Sequence, residues 1–202
     1  MATTGKFMSE ASRRIILFGG AFDPPHNGHL DMAHAAIKEL HPNKLLWIPT
    51  AHAVHRKKAE ADFTQRCKMI RLMIDQEPSF ELCTIENKRD KKSYFIDTLN
   101  LLINQEGPAQ FYLLIGQDQL DQFTTWHEWR TIIAKSTLVV MPRKNCTTTS
   151  LPNTNLLMLK ADTIDICSTQ IKRNIDSLGL SAAVRGFICD QKLYSIDKCK
   201  LK

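Results

Sequence analysis

The chain of 202 residues contains no long apolar run, so no membrane-spanning helix is indicated. Its opening stretch, MATTGKFMSEASRR, lacks the apolar central region of a secretory signal. The six cysteines (Cys67, Cys83, Cys146, Cys167, Cys189 and Cys199) never fall in CxxC spacing, which argues against a zinc site or a dithiol redox motif. A chain of this length does not need disulfides, so all six are read as free thiols in a reducing cytoplasm. Only eight glycines are present, and neither GxxxxGK[ST] nor GxGxxG occurs, which removes the Walker loop and the dinucleotide fingerprint. No internal repeat and no aromatic RNA-stacking motif appears. Neither a nucleic acid nor a membrane is expected as a partner.

What is present is ordinary globular composition, 43% hydrophobic and 24% charged. The formal charge of +6 favours anionic partners. Residues 14–202 are long enough for one domain with a sizeable core and a small C-terminal helical part, and residues 1–13 read as a disordered extension.

Short apolar runs alternate with helical spacing along the chain. RIILF (Arg14–Phe18) predicts a buried strand and Leu30–Leu40 a helix, stopped by Pro42 and Asn43. Leu45–Ile48 predicts the second strand, completing a βαβ unit. Further along, Phe63–Ile74 predicts a helix, Phe80–Ile85 a strand, and Ser93–Ile103 a helix. Phe111–Ile115 predicts a strand, Leu120–Ile133 a helix, and Thr137–Met141 a strand. Leu156–Leu159 and Thr163–Ile166 follow as short strands, then helices over Thr169–Leu178 and Ser181–Tyr194. The expected fold class is α/β: a doubly wound, mainly parallel, Rossmann-like sheet with helices on both faces. The irregular segments Thr50–Asp62 and Arg143–Asn155 both follow strands. They are therefore expected at the carboxyl edge of the sheet, where ligands bind in this architecture.

One stretch, FGGAFDPPHNGHL (Phe18–Leu30), carries chemistry. Gly19 and Gly20 follow the first strand and would let bare backbone approach a ligand. His26 and His29 sit where the next helix begins, and a helix start offers N–H groups and partial positive charge. Two imidazoles add donors aimed at the same place. Together these make a phosphate site; the bland alternative is a tight turn in which the histidines cap the helix.

GGAFDPPHNGH resembles the signature GGxFDPxHxGH of bacterial nicotinate-nucleotide adenylyltransferases, members of the HxGH nucleotidyltransferases. The resemblance runs from Ile15 onward, with further segments in order. HRKKAEADFTQRCKM resembles the family's basic loop and following helix, and SYFIDTL (Ser93–Leu99) its SYTxxTL element. LIGQDQL (Leu114–Leu120) with TWHEW (Thr125–Trp129) resembles IGxDxL and WxxW, and ICSTQIK (Ile166–Lys172) resembles ISSTxIR. The implied reaction is adenylyl transfer from ATP to nicotinate mononucleotide, giving nicotinate adenine dinucleotide and pyrophosphate in NAD biosynthesis.

The resemblance implies His26, His29 and Lys172 as catalytic groups. It implies an ATP site from Gly19, Gly20, Phe22, His26, His29, Gly116, Asp118, Arg143, Ser168, Thr169 and Lys172. It implies a nicotinate mononucleotide site from Tyr94, Phe95, Asp118, Trp126, His127, His55 and Arg56, with Trp126 stacking on the pyridine ring. Mg2+ is expected to arrive with ATP, and no metal ligands are assigned to the protein. HxxH in HAVHRKK (His52–Lys58) shows no third ligand and reads first as a solvated basic loop. ATP and nicotinate mononucleotide are the expected partners, the compartment is the cytoplasm, and a homo-oligomer is left open.

The chain also departs from the family pattern. Cys167 replaces its first serine, and Lys172 stands where arginine is usual, with Arg173 beside it. Lysine keeps the charge but loses the planar fork, so a single-point contact or replacement by Arg173 are both open. Lys144–Asn145 replace a Pro-Gly, His127 stands where tyrosine is common, and Phe95 replaces a threonine whose hydroxyl would meet the nicotinate carboxylate. Three other readings stay on the table: nicotinamide mononucleotide as acceptor, phosphopantetheine as acceptor, or a non-catalytic nucleotide-binding protein.

Overall fold

The apolar run at Arg14 becomes a strand, β1 (Arg14–Gly20), because its side chains are buried alternately on both faces. The computed structural model describes residues 13–51, 59–88, 94–142, 151, 154, 156–161, 168–173 and 179–194. Ile16 and Phe18 point into one hydrophobic layer and Ile15 and Leu17 into the other, as the two-residue strand period requires.

Five more strands join β1: β2 (Lys44–Pro49), β3 (Phe80–Leu82), β4 (Gln110–Gly116), β5 (Thr137–Met141) and β6 (Leu156–Met158). The order across the sheet is β3-β2-β1-β4-β5-β6, and every pairing is parallel. The helices are α1 (Asn27–Leu40), α2 (Phe63–Ile74), α3 (Phe95–Glu106), α4 (Gln117–Leu120), α5 (Trp129–Lys135), α6 (Ser168–Arg173) and α7 (Ala182–Asp190). One layer takes Ala33 and Ala36 of α1, Met69 and Ile70 of α2, Ile171 of α6, and Val184 and Ile188 of α7. The opposite layer takes Ile96, Leu99 and Leu102 of α3, Leu120 of α4, Ile132 of α5, and Phe123 from the turn between α4 and α5. The fold is the doubly wound, Rossmann-like sheet that the alternating pattern predicts.

Three expectations change. The single helix expected over Leu120–Ile133 is instead α4, a 3-10 turn at Phe123–Thr125, and α5. Fully buried Phe123 turns the chain inward, and Glu128, in the left-handed region at φ 51°, breaks the helix just before Trp129. The strand expected over Phe80–Ile85 stops at Leu82, and a 3-10 turn occupies Ile85–Lys88. Cys189 is disulfide-bonded rather than a free thiol, its partner lying outside the described residues; Cys67 and Cys83 are free. The expected strand over Thr163–Ile166, residues 174–178 of the expected C-terminal helix, and residues 1–12 also lie outside the described residues. Among the described residues no helix is long and apolar enough to cross a membrane.

Candidate active site

The strand order reverses between β1 and β4, so the crevice at their carboxyl ends is where this architecture receives ligands. Gly19, Gly20 and Gly116 stand at those ends. At Gly20 and Gly116 a side chain already stands close to where a Cβ would be. A Cβ on Gly20 would lie 3.0 Å from Phe22 Cζ, so the missing side chain makes room for the Phe22 ring rather than for a ligand. A Cβ on Gly116 would lie 2.7 Å from Asp118 Oδ1, so this glycine lets the Asp118 carboxylate fold back over the end of β4. Gly19 is exposed, and the Phe95 ring lies over it at ordinary contact distance.

Phe22, expected at the ATP site, packs its ring into the core. It is left-handed at φ 49°, and its side chain is 2% exposed, packed against Phe18, Trp47 and the edge of His29. The ring supports the histidine from the core.

At the start of α1 the two histidines do what the bland alternative described and more. His26 is the N-cap and His29 the third helical residue, and together they form a reciprocal capping box. His29 Nδ1 accepts the His26 backbone N–H at 3.2 Å, so a neutral His29 ring carries its proton on Nε2. The ring centroids are 3.7 Å apart. His26 is nearly buried and His29 partly exposed. The helix start is less bare than expected: the Asn27 N–H already donates to the Gly179 carbonyl at 2.8 Å, and the His29 N–H to the His26 carbonyl at 2.8 Å.

Asp23, inside the same signature, gathers four donors. Tyr194 Oη donates to Oδ1 at 2.8 Å and the Ala61 N–H at 3.1 Å. Lys172 Nζ donates to Oδ2 at 2.6 Å and the Glu60 N–H at 2.9 Å. Burial pushes the Asp23 carboxyl up, but the bonds from Lys172, the Glu60 N–H, Tyr194 and the Ala61 N–H outweigh it and hold it below the ordinary aspartate value. Lys172 also pairs with Glu60 at 2.9 Å. Burial pulls its ammonium down, while Asp23 and Glu60 more than compensate and hold it above the ordinary lysine value. Buried Arg66 completes the group, donating to the Ala21 carbonyl at 2.7 Å and the Ala61 carbonyl at 3.3 Å. Lys172, expected as a phosphate clamp, is thus held by two carboxylates in this structure. Ser168 begins α6 and donates its hydroxyl to the Pro24 carbonyl at 3.1 Å, while Thr169 is exposed.

On the opposite face of the sheet, rings line the crevice. Phe95, first residue of α3, packs edge-on against Trp126 at 5.9 Å between centroids, and Trp126 against Phe123 at 5.2 Å. The Tyr94 and His127 rings lie 4.3 Å apart between centroids, tilted by 37°. Trp126 and Trp129 are both half-buried, and Phe123 is the core ring of this segment. Behind them, buried Glu86 accepts from the Thr98 hydroxyl at 3.0 Å and the Ala51 N–H at 3.1 Å, joining α3 to the end of β2. Asp118 is exposed and accepts from Gln119 at 3.1 Å.

The structure therefore brings together Gly19, His26, His29, Ser168 and Lys172 on one side and Tyr94, Phe95, Trp126 and His127 on the other. His55, Arg56 and Arg143 lie outside the described residues. Sequence reasoning missed Arg66, Glu86, Thr98 and Tyr194 altogether and passed over Asp23. Asp23, Arg66 and Thr98 carried a signal, each lying inside a quoted motif. Among the described residues no three His, Cys, Asp or Glu side chains gather as a metal site.

A parallel 3-2-1-4-5-6 sheet with an HxGH turn beside its switch point defines a nucleotidyltransferase-type domain. In agreement, the family model described as cytidylyltransferase-like matches residues 17–174. The chain is 33% identical to a Bacillus pumilus protein named "Probable nicotinate-nucleotide adenylyltransferase" over 90% of this chain and 98% of that one. A Methylibium petroleiphilum protein of the same name is 41% identical over 65% of this chain, a match that spans 62% of the relative's length. A solved structure, Plasmodium falciparum nicotinic acid mononucleotide adenylyltransferase complexed with NaAD, superposes with a TM-score of 0.76 over 91% of this chain and 98% of that one, at 16% identity. The chain belongs to the nicotinate-nucleotide adenylyltransferase family, within the cytidylyltransferase-like superfamily.

Proposed function

We propose that the protein transfers the adenylyl group of ATP to nicotinate mononucleotide, releasing pyrophosphate. The observation that carries this reading is the His26–His29 pair at the start of α1, set beside the β1/β4 crevice and opposite the Phe95–Trp126 rings. Names of relatives in Bacillus pumilus and Methylibium petroleiphilum agree with it.

The chemistry asks for no protein base or nucleophile. The mononucleotide's 5′-phosphate loses its second proton at about pH 6, so it attacks as a dianion. One of its oxygens forms a bond to the α-phosphorus of ATP while the bond from that phosphorus to the bridging oxygen of pyrophosphate breaks. Negative charge grows on the leaving pyrophosphate. The task left to the protein is alignment and charge stabilisation. His29, with its Nε2 proton, and His26 serve as donors to the phosphates. Asp23 is saturated by four donors and takes no proton from substrate. ATP enters as its magnesium complex. The N-terminal N–H groups of α3 at Phe95 and the backbone at His127 face the nicotinate carboxylate, with Trp126 against the pyridine ring.

Phe95 bears on a second acceptor. Its ring offers no hydroxyl, and a backbone N–H distinguishes carboxylate from amide less sharply than N–H and hydroxyl together. The deciding experiment is pyrophosphate release with MgATP and either nicotinate or nicotinamide mononucleotide, side by side. Strong preference for nicotinate supports the reading as stated. Comparable rates make the protein dual-specific. No release with either, despite ATP binding, returns the choice to another acceptor or to a binding protein.

A further inference from the structure

We propose that Tyr194 is a positioning residue for the phosphate loop: through Asp23 it sets the backbone that carries His26 and His29. This rests on the reading of that loop as the ATP phosphate site.

Tyr194 is far from the crevice chemistry in sequence, yet its contacts go to the loop. It is 6% exposed, and its hydroxyl donates to Asp23 Oδ1 at 2.8 Å, 171 residues away in the chain. Its ring lies 5.2 Å from Lys172 Nζ, so one side chain touches both members of the Asp23–Lys172 pair. Asp23, when ionised, only accepts, so the Tyr194 hydroxyl must donate. Burial, and then the charge of Asp23 and its hydrogen bond, push that hydroxyl far above the ordinary tyrosine value, so it is a permanent donor and not an acid of the reaction. The backbone of Tyr194 is left-handed at φ 63°, a conformation bulky residues avoid unless tertiary contacts hold it.

The same part of the chain reaches the loop at two further points. Ser168 donates to the Pro24 carbonyl at 3.1 Å, and the Gly179 carbonyl accepts from Asn27 at 2.8 Å. The C-terminal third thus grips Asp23, Pro24 and Asn27, the residues that bracket His26. Of these grips, the Tyr194 hydroxyl is the one that shares a carboxylate with Lys172, and its removal leaves ring packing intact.

The test is Tyr194→Phe in the full chain, read at a temperature well below the melting point of both proteins. Binding of a non-hydrolysable ATP analogue with Mg2+, without acceptor, is measured first. KM for MgATP and for nicotinate mononucleotide follows. The expected result is a rise of about threefold to tenfold in both the analogue Kd and KM for ATP, with KM for the mononucleotide within about twofold of wild type. Asp23→Asn, which removes the acceptor's charge from the same contact, is the second variant. It should show the same selectivity for ATP, and in the double variant the two losses should not add. Unchanged ATP affinity in a folded Tyr194→Phe or Asp23→Asn chain overturns the proposal, and so does a lowered melting point with both KM values unmoved. Failure of the adenylyl-transfer reading looks different: wild type binds the analogue but releases no pyrophosphate, and the Tyr194 effect on analogue binding still stands or falls on its own. A wild type that does not bind the analogue overturns both.

Discussion

The two sides of the crevice are built by opposite means. On the α1 side, Asp23, Lys172, Arg66 and Tyr194 hold the histidine loop by directional, charged hydrogen bonds in a largely buried setting. On the α3 side, Tyr94, Phe95, Trp126 and His127 are half-buried or exposed rings held by tilted and edge-on ring contacts. Charged hydrogen bonds tolerate little displacement, whereas rings repack with small cost. The end proposed to handle phosphate is therefore over-determined, and the end proposed to meet the acceptor's base is adjustable. The departures from the family pattern follow this division in part: Phe95 and His127 stand on the adjustable side, while the loop from Gly19 to His29 keeps its signature.

The comparison breaks most sharply at Asp23. Asp23→Ala leaves Arg66 buried and Lys172 without one of its carboxylates, and is expected to cost about 3–5 kcal/mol in urea unfolding. Its pH signature has a definite sign. The Asp23 carboxyl is held below its unfolded value of about 3.9, so its stabilisation is complete above that pH and is lost as pH falls through the folded value. The variant should lack that part of the acid limb. For Lys172, held above its unfolded value of about 10.4, the contribution is complete below that pH and is lost as pH rises through the folded value.

Next in size is His29→Ala. Loss of a phosphate donor is expected to lower pyrophosphate release by about 10²–10³-fold, while loss of its share of the capping box costs only about 1 kcal/mol in a thermal melt. Near-normal turnover would remove the phosphate assignment. Gly20→Ala should destabilise by about 1–3 kcal/mol, because the added Cβ meets the packed Phe22 ring. If stability holds but ATP affinity falls, the position serves ligand approach after all.

On the adjustable side the effects are smaller and confined to the acceptor. Trp126→Ala should raise KM for the mononucleotide about tenfold or less and leave KM for ATP alone. Phe95→Thr should sharpen the preference for nicotinate over nicotinamide mononucleotide by about tenfold, measured as the ratio of kcat/KM values. A Phe95→Thr change that altered ATP binding instead would erase the distinction between the two sides.

The alternating apolar runs and helical spacings were legible because strand and helix periods are local properties of a few consecutive residues. β5 and α2 fall on the bounds the pattern predicts, and β1, β2 and β4 lie within two residues of theirs. The Leu120–Ile133 helix was misread because apolar spacing continued through Phe123 and Trp126 while the backbone did not; the left-handed Glu128 has no signature in that spacing. The histidine pair was legible from its motif, but its reciprocal capping and the role of Gly20 depend on where rings lie, which no spacing encodes.

By itself, then, the order of residues determined the doubly wound sheet, the crevice at its switch point and the family, since each rests on short contiguous patterns. The tertiary structure alone decided that Asp23 is a saturated anchor, that Lys172 is paired with carboxylates, and that Phe22 belongs to the core. The partners of Asp23 stand 37, 38, 149 and 171 residues away, at Glu60, Ala61, Lys172 and Tyr194. Contacts across such separations arise only when the layers pack, because burial makes each unpaired charge so costly that the chain must bring its partners to it.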